Sequence, residues 1–320
     1  MTASFVDRVD LASERLGAAV VAANDEFFGP KESLIRAGPA VWREGEYTER
    51  GKWMDGWETR RRRDHGDHDW CIVRLGVRGT VCGVDVDTSF FSGNFPESCA
   101  IDACDIRGIP PIDELTRADW REILPRHALT GDSHNLVAVD GTAPATYLRL
   151  RIFPDGGVAR LRVYGKVVAD WERLREQGDV DLAAVEHGAV VVACSDMFFG
   201  SRHNLIMPGD ATHMGDGWET KRRRGPGYDW TIVRLGAEGT IRRVEVDTRH
   251  FKGNAPGACS IEGSRDQEDW KELLPRTPLQ PHTRHLFEKE LTPIGAVTHA
   301  RLNIFPDGGI ARLRLFGRPR

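Results

Sequence analysis

The amino-acid sequence predicts a mostly β protein made of two tandem domains, each with a β-sandwich or jelly-roll fold. Three observations support this prediction: the length, an internal repeat, and a two-residue hydrophobic period. The chain has 320 residues, which suits two domains of roughly 150 residues each. We place the boundary after residue 170, so the domains cover residues 1–170 and 171–320.

The internal repeat consists of matching blocks in the same order in each half. The pairs are Asp25–Gly29 with Asp196–Gly200, Asp55–Arg63 with Asp216–Arg224, Asp69–Pro96 with Asp229–Pro256, Asp119–Pro125 with Asp269–Pro275, and Phe153–Gly157 with Phe305–Gly309. In the longest pair 17 of 28 positions are identical. Length differences fall between blocks, which predicts surface loops there. The largest follows Ile35: 19 residues separate it from Asp55, whereas 9 separate Ile206 from Asp216.

The hydrophobic period within each copy is two. Apolar and charged residues alternate in Leu148–Ile152, in Val84–Asp87 and in its copy Val244–Asp247. This pattern predicts strands with one buried and one wet face. Turn residues Pro154–Gly157 follow one such strand and predict a hairpin with the strand after it.

Helix is predicted only in short segments. Asp119–Leu124 precedes Pro125, which would stop a helix there. Asp170–Glu176 precedes Gly178 and is long enough for about two turns.

Charge and apolar content exclude several classes of protein. The formal charge of −4 from 44 basic and 48 acidic side chains is too balanced for binding to nucleic acid or an anionic membrane. The segment Met1–Arg15 lacks the apolar centre of a signal peptide, and no apolar run reaches the roughly 20 residues of a membrane span. None of the six cysteines forms a C-x-x-C pair. These features predict reduced thiols in a cytoplasmic protein.

Familiar catalytic and metal motifs are absent from the sequence. It contains neither a phosphate-binding G-x-x-x-x-G-K nor a G-x-S-x-G nucleophile elbow. The pairs His65 with His68 and His282 with His285 have a spacing of three residues, but neither pair recurs in the other copy. We interpret them as exposed loop histidines rather than metal ligands.

The Asp-Gly-Trp-Glu-Thr-basic block has the residue types of an anion site. Glutamate transfers protons, tryptophan offers a flat surface, and arginine grips carboxylates with two hydrogen bonds. The candidates are Glu58 and Glu219, Trp57 and Trp218, and Arg61, Arg62, Arg222 and Arg223. The competing interpretation places the tryptophans in the core and the arginines on a solvated face.

A Gly-Asn step also recurs, with Asn94 in the first copy and Asn254 in the second. An amide both donates and accepts, which suits a urea-like group, although Gly-Asn is also an ordinary turn. Histidines differ between copies: Tyr228 stands where the first copy has His68, and His213 belongs to the second copy only.

At these residues the chain resembles the allantoicase family. The likeness runs from about Gly17 to Gly317 in the two-repeat order of that family, through the blocks given above. It implies two galactose-binding-like jelly-roll domains. It also implies a hydrolase that converts allantoate to (S)-ureidoglycolate and urea, a step of purine and allantoin degradation.

The implied substrate carries one carboxylate and two ureido groups on one carbon. We therefore hypothesise that arginines such as Arg61 and Arg222 bind the carboxylate, while Asn94 or Asn254 lies near a ureido group. The proposed proton carrier is Glu58 or Glu219, helped by His213 or His68. Some family members are thought to respond to a divalent metal, but this sequence shows no ligand set, so no cofactor is assigned.

The sequence leaves open the number of sites per chain and two alternative functions. Each chain could hold two sites, or one site at a junction of domains or subunits, and we expect a homo-oligomer. A non-catalytic tandem carbohydrate-binding protein is the alternative function, although the cationic runs suit an anion better than a neutral sugar. A ligand-free scaffold is the third interpretation, and it leaves the repeated basic block unexplained.

Overall fold

The computed structural model describes residues 5–63, 66–140 and 143–320. His65, from one of the histidine pairs, lies outside these ranges. The chain divides into two compact units, the first ending at Val168 and the second beginning at Ala169. The boundary after residue 170 stays a prediction about which segments fold as domains.

The described residues of the first unit form twelve strands and short helices. The strands are β1 (Val9–Asp10), β2 (Ala19–Ala23), β3 (Tyr47–Thr48), β4 (Gly51–Lys52), β5 (Trp57–Glu58), β6 (Asp69–Asp87), β7 (Ser98–Cys104), β8 (Arg121–Ala128), β9 (His134–Ala138), β10 (Ala145–Phe153), β11 (Gly157–Val158) and β12 (Arg160–Val167). The helices are α1 (Ile112–Thr116) and 3₁₀ turns at Glu14–Leu16 and Lys31–Ile35.

The second unit repeats this order without equivalents of β3, β4 and α1 among its described residues. Its strands are β13 (Val180–Asp181), β14 (Val190–Cys194), β15 (Trp218–Glu219), β16 (Asp229–Asp247), β17 (Ala258–Ser264), β18 (Lys271–Pro278), β19 (Arg284–Phe287), β20 (Val297–Phe305), β21 (Gly309–Ile310) and β22 (Arg312–Pro319). Its helices are α2 (Trp171–Glu176) and 3₁₀ turns at Val185–His187, Arg202–Ile206 and Met214–Asp216.

Each unit is organised around one very long strand. In the first unit the antiparallel order is β1-β12-β6-β10-β7-β8, and β2 and β9 also pair with β6. The first half of β6 pairs with β10 and β2, and its second half pairs with β12 and β9. Strand β6 therefore belongs to both layers of the sandwich. The second unit has the same arrangement around β16, which confirms two tandem jelly-roll β-sandwich domains.

The predicted alternation of buried and exposed residues is confirmed for β10. For β6 the apolar residues are buried as predicted, but the alternate charged residues are buried as well. Leu148, Leu150 and Ile152 are fully buried in the core. Asp85 and Asp87 were expected on a wet face, but they are only 4% and 3% exposed. Each carboxylate has a polar partner where it is buried: the imidazole of His134 lies 2.7 Å from Asp85 Oδ2, and Ser89 N donates to Asp87 Oδ1 at 2.8 Å.

The predicted hairpin around Pro154–Gly157 is wrong. Strands β10 and β12 do not pair with each other, because each pairs with a different half of β6. The intervening segment instead crosses between layers, and its residues in β11 pair with β5.

The predicted helix at Asp119–Leu124 is also wrong, since Arg121–Ala128 forms strand β8 at the edge of the sheet. An edge strand tolerates Pro125, which lacks a backbone donor. The helix predicted before Gly178 is confirmed as α2, and the Asp170 carboxylate caps it by accepting from Arg173 N at 3.2 Å. None of the helices in the described ranges has the length and apolar character needed to cross a membrane.

A buried ion pair fixes the start of the Asp-Gly-Trp-Glu-Thr block. Arg160 Nη2 lies 2.6 Å from Asp55 Oδ2, and both side chains are buried. Arg160 also donates to the carbonyls of Gly38 and Pro39 in the long segment before Asp55. Asp55 has a second, half-exposed partner in Arg36, whose Nη1 lies 3.1 Å from Oδ1.

Replacing Arg160 by methionine should destabilise the first unit strongly. Asp55 would lose its buried partner, and removing one member of a buried pair costs about 3–5 kcal/mol. The matched variant Arg36→Met removes an exposed partner and should cost less than about 1 kcal/mol. Urea unfolding of the full chain measures both. Equal shifts for the two variants would contradict the role given to Arg160.

Candidate active site

The tryptophan and threonine of the block serve the fold. Trp57 is fully buried, and its Nε1 donates to the carbonyl of Asp25 at 2.8 Å. Trp218 is equally buried and donates to Asp196 in the same way. Thr59 N donates to the carbonyl of Gly156 at 3.1 Å. Both indoles, predicted as substrate-binding, therefore lie in the core with their only donor already used.

Glu58 is held on both sides of its short strand. Its backbone pairs with Gly157 of β11 on one side and with Gly29 on the other. Gly157 N also donates to the carbonyl of Asn94 at 2.8 Å. A Cβ at Gly157 would lie 2.0 Å from the ring of Phe91, so only glycine fits there. This glycine thus brings the Glu58 strand and the Asn94 loop together.

The two side chains meet as a result. Asn94 Nδ2 donates to Glu58 Oε1 at 2.7 Å. Burial raises the pKa of Glu58 above its ordinary value, and the hydrogen bond from Asn94 offsets only part of this effect. A carboxyl group with a raised pKa is suited to donate a proton and take one back near neutral pH.

The pair forms part of the wall of a cavity of about 250 Å³ in the first unit. The lining residues are Phe28, Trp42, Gly51, Lys52, Met54, Glu58, Phe90, Ser92 and Asn94. Lys52 Nζ lies 4.1 Å from the ring centroid of Trp42, and that ring lies 5.8 Å from the ring of Phe90. The cavity therefore combines aromatic walls, one ammonium group and one acid–amide pair.

The inserted segment, residues 36–54, supplies four of these lining residues. They were missed by sequence reasoning, which noted the extra length of the segment but not its contents. The available signal was the position of Trp42 and Lys52 inside an insertion that directly precedes the repeated block.

The second unit has the same acid–amide pair in different surroundings. Asn254 Nδ2 donates to Glu219 Oε1 and also approaches Met214 Sδ at 3.2 Å. Its shorter segment leaves Phe198 and Phe199 70% and 63% exposed, whereas Phe27 and Phe28 are 38% and 39% exposed. The second pair thus has a thioether beside its amide and lacks a counterpart of the inserted segment.

The predicted arginines are not among the described residues that line the Glu58 cavity. Arg62 pairs with the buried Asp69 at 2.6 Å, and Arg223 pairs with Asp229. Arg61 and Arg222 are exposed, and neither forms an ion pair with another described residue. The basic run of the second unit lines a separate cavity of about 360 Å³ with Ser195, Asp196 and Asp229.

The predicted histidines are not among the described residues that line the Glu58 cavity. His68 lies beside Asp67, with its ring 5.3 Å from that of Phe153. Tyr228 places its ring 4.8 Å from Phe305 in the second unit, so the exchange of His68 for Tyr228 keeps a ring at this place. His213 is exposed and directly precedes Met214.

Within the described ranges, no group of three or more His, Cys, Asp or Glu side chains is arranged to hold a metal ion. Both ring nitrogens of His285 have backbone partners, Gln280 N and the carbonyl of Val246.

Comparison with known proteins gives concordant matches. The allantoicase repeat model matches residues 9–168 and 180–320. A protein of Photobacterium profundum named probable allantoicase is 51% identical, covering 98% of this chain and 97% of that protein. A probable allantoicase of Pseudomonas aeruginosa is 50% identical, with 99% and 98% covered. The crystal structure of allantoicase from Saccharomyces cerevisiae matches with a TM-score of 0.84 and 36% identity, covering 97% of this chain and 92% of that one.

Replacing Asn94 by alanine should raise the pKa of Glu58 further. The hydrogen bond from Asn94 favours the ionised carboxylate, so its loss leaves burial unopposed. NMR titration of the ¹³C-labelled carboxyl group, assigned with Glu58→Gln, measures the shift. Asn254→Ala is the matched control and should leave the titration of Glu58 unchanged. A lower pKa in Asn94→Ala would contradict this account of the pair.

Proposed function

This chain belongs to the allantoicase family, and on that premise we propose that it is a hydrolase that converts allantoate and water to (S)-ureidoglycolate and urea. The observation that supports this reaction best is the Glu58–Asn94 pair in the wall of the aromatic cavity. The alternative of a non-catalytic carbohydrate-binding protein is not favoured, because the relatives that match along nearly the whole chain are named allantoicases.

We assign the proton transfers to Glu58. The protonated carboxyl group gives its proton to the ureido nitrogen as the bond between that nitrogen and the central carbon breaks, so urea leaves neutral. The resulting carboxylate takes a proton from the water that bonds to the central carbon. One group thus serves both transfers and returns to its starting state. Burial raises the pKa of Glu58 above its ordinary value, which favours the protonated form that the first transfer requires.

Asn94 binds a ureido group in this proposal. Its Nδ2 holds Glu58, which leaves the carbonyl oxygen of its amide to accept from a ureido N–H. The buried Trp57 and the ion-paired Arg62 then have positioning roles, and the helper role of His68 is not retained, because its ring lies against Phe153.

We place catalysis in the first copy. Its acid–amide pair has aromatic walls and an ammonium group nearby. In the second copy, Met214 Sδ lies against Asn254, the group that would bind the ureido group. The roles predicted for Glu219, Asn254 and His213 are therefore given up in this proposal in favour of their first-copy counterparts.

Two further properties belong to the proposal. A cytoplasmic location is supported by the six cysteines, all free, since disulfides are typical of oxidising compartments. A homo-oligomer is supported by the exposed apolar side chains Met197, Phe198 and Phe199, because such groups mark contact surfaces.

Replacing Glu58 by glutamine should lower the rate of urea release from allantoate by at least about 100-fold, the typical contribution of general acid–base catalysis. Glutamine keeps the size and the hydrogen bond to Asn94 but transfers no proton. The matched variant Glu219→Gln should keep most of the activity. Partial and equal losses in the two variants would support two independent sites per chain, and full activity of Glu58→Gln would remove Glu58 from the mechanism.

A further inference from the structure

We propose that Lys52 is the residue that binds the substrate carboxylate and so determines specificity for an anionic ureido acid. This inference rests on the proposed function, because it assigns a role within the same cavity. It replaces the earlier hypothesis that arginines of the basic run bind the carboxylate.

The cavity needs a positive charge if it is to bind the substrate carboxylate. A carboxylate that leaves water needs a cation or several donors to offset the loss of hydration. Glu58 adds to this need, because its carboxylate form exists during the reaction and repels a second anion. Among the described lining residues, Lys52 carries the only full positive charge.

Lys52 is held by a strand and by an aromatic ring. It ends the two-stranded ribbon of β3 and β4, opposite Tyr47. Its ammonium lies 4.1 Å from the Trp42 ring centroid, a contact that stabilises a cation without using its hydrogen-bond donors. All three N–H groups thus remain available to an anion, and the aromatic face restrains a side chain that would otherwise be flexible.

No arginine is among the described residues that line this cavity. Arg60 and Arg62 are engaged by Asp25 and Asp69. Arg61 is exposed and is not among the described residues lining the cavity. Arg60 and Arg62 therefore attach the block to the rest of the first unit. In this proposal Lys52 is the cation that binds the substrate carboxylate.

Lys52 and the Glu58–Asn94 pair together predict the orientation of the substrate in the cavity. The carboxylate faces Lys52, and the departing ureido group faces Glu58 and Asn94. The second unit lacks a counterpart of Lys52, since only 9 residues separate Ile206 from Asp216.

The test compares two substrates in the full-length enzyme: allantoate and its neutral carboxamide. The wild-type enzyme should prefer allantoate in kcat/KM. In Lys52→Met the KM for allantoate should rise about 10- to 100-fold with a smaller change in kcat, the range expected when a hydrogen-bonded charge is lost. The preference over the carboxamide should disappear, and Lys52→Arg should restore part of it.

Lys166→Met is the matched control, because Lys166 is an exposed lysine of the first unit outside the cavity lining. Unchanged KM and substrate preference in Lys52→Met would overturn the proposal, and so would a rise in KM caused by Arg61→Gln instead. A wild-type enzyme that releases no urea from allantoate would refute the proposed function itself. A thermal melt of Lys52→Met that matches the wild type separates lost binding from lost folding.

Discussion

The contacts of the Pro-Asp-Gly-Gly segment with the Glu58 strand, the Asn94 loop and the basic run are the constraint on which the site depends. Gly157 pairs with Glu58 and also donates to the carbonyl of Asn94. Asp155 accepts from Arg62 N at 2.8 Å and so anchors the basic run to the same segment. The segment therefore fixes three neighbouring pieces of chain at once. Its second copy makes the same contacts through Gly309 and Asp307.

Both copies share this constraint. The surroundings of their acid–amide pairs differ because the segment before the Asp-Gly-Trp-Glu-Thr block is longer in the first copy. Residues 36–54 lie over Phe27 and Phe28 in the first copy: Arg50 lies 5.0 Å from the Phe27 ring, and Gly51 lies beside Phe28. The segment is held at its base by Arg160 and Asp55, which belong to the core. A buried ion pair of the fold thus supports a surface feature that shapes the cavity.

Sequence reasoning reached the tandem β-sandwich domains because a period of two and a repeated order of blocks are local signals, and the family resemblance added the jelly-roll topology. It failed where a long-range contact decided the outcome. Pro154–Gly157 has the composition of a hairpin turn, but β6 is long enough to pair separately with the strands on either side of it. Asp119–Leu124 has helical composition, yet pairing with β7 at a sheet edge makes it extended. The Glu58–Asn94 pair joins residues 36 positions apart, so both were identified as candidates while their contact was not.

The basic run shows why repetition alone was a poor guide to catalysis. Residues kept in both copies are those that the shared fold requires, and most of the block meets that description: Asp55 binds Arg160, Trp57 fills the core, and Thr59 bonds to Gly156. Glu58 is the exception, since its side chain enters a cavity. The same cavity is lined by Trp42 and Lys52, which occur in the first copy only. Repetition therefore gives both copies the scaffold and the acid–amide pair. The segment added to the first copy supplies an aromatic wall and the ammonium group beside that pair.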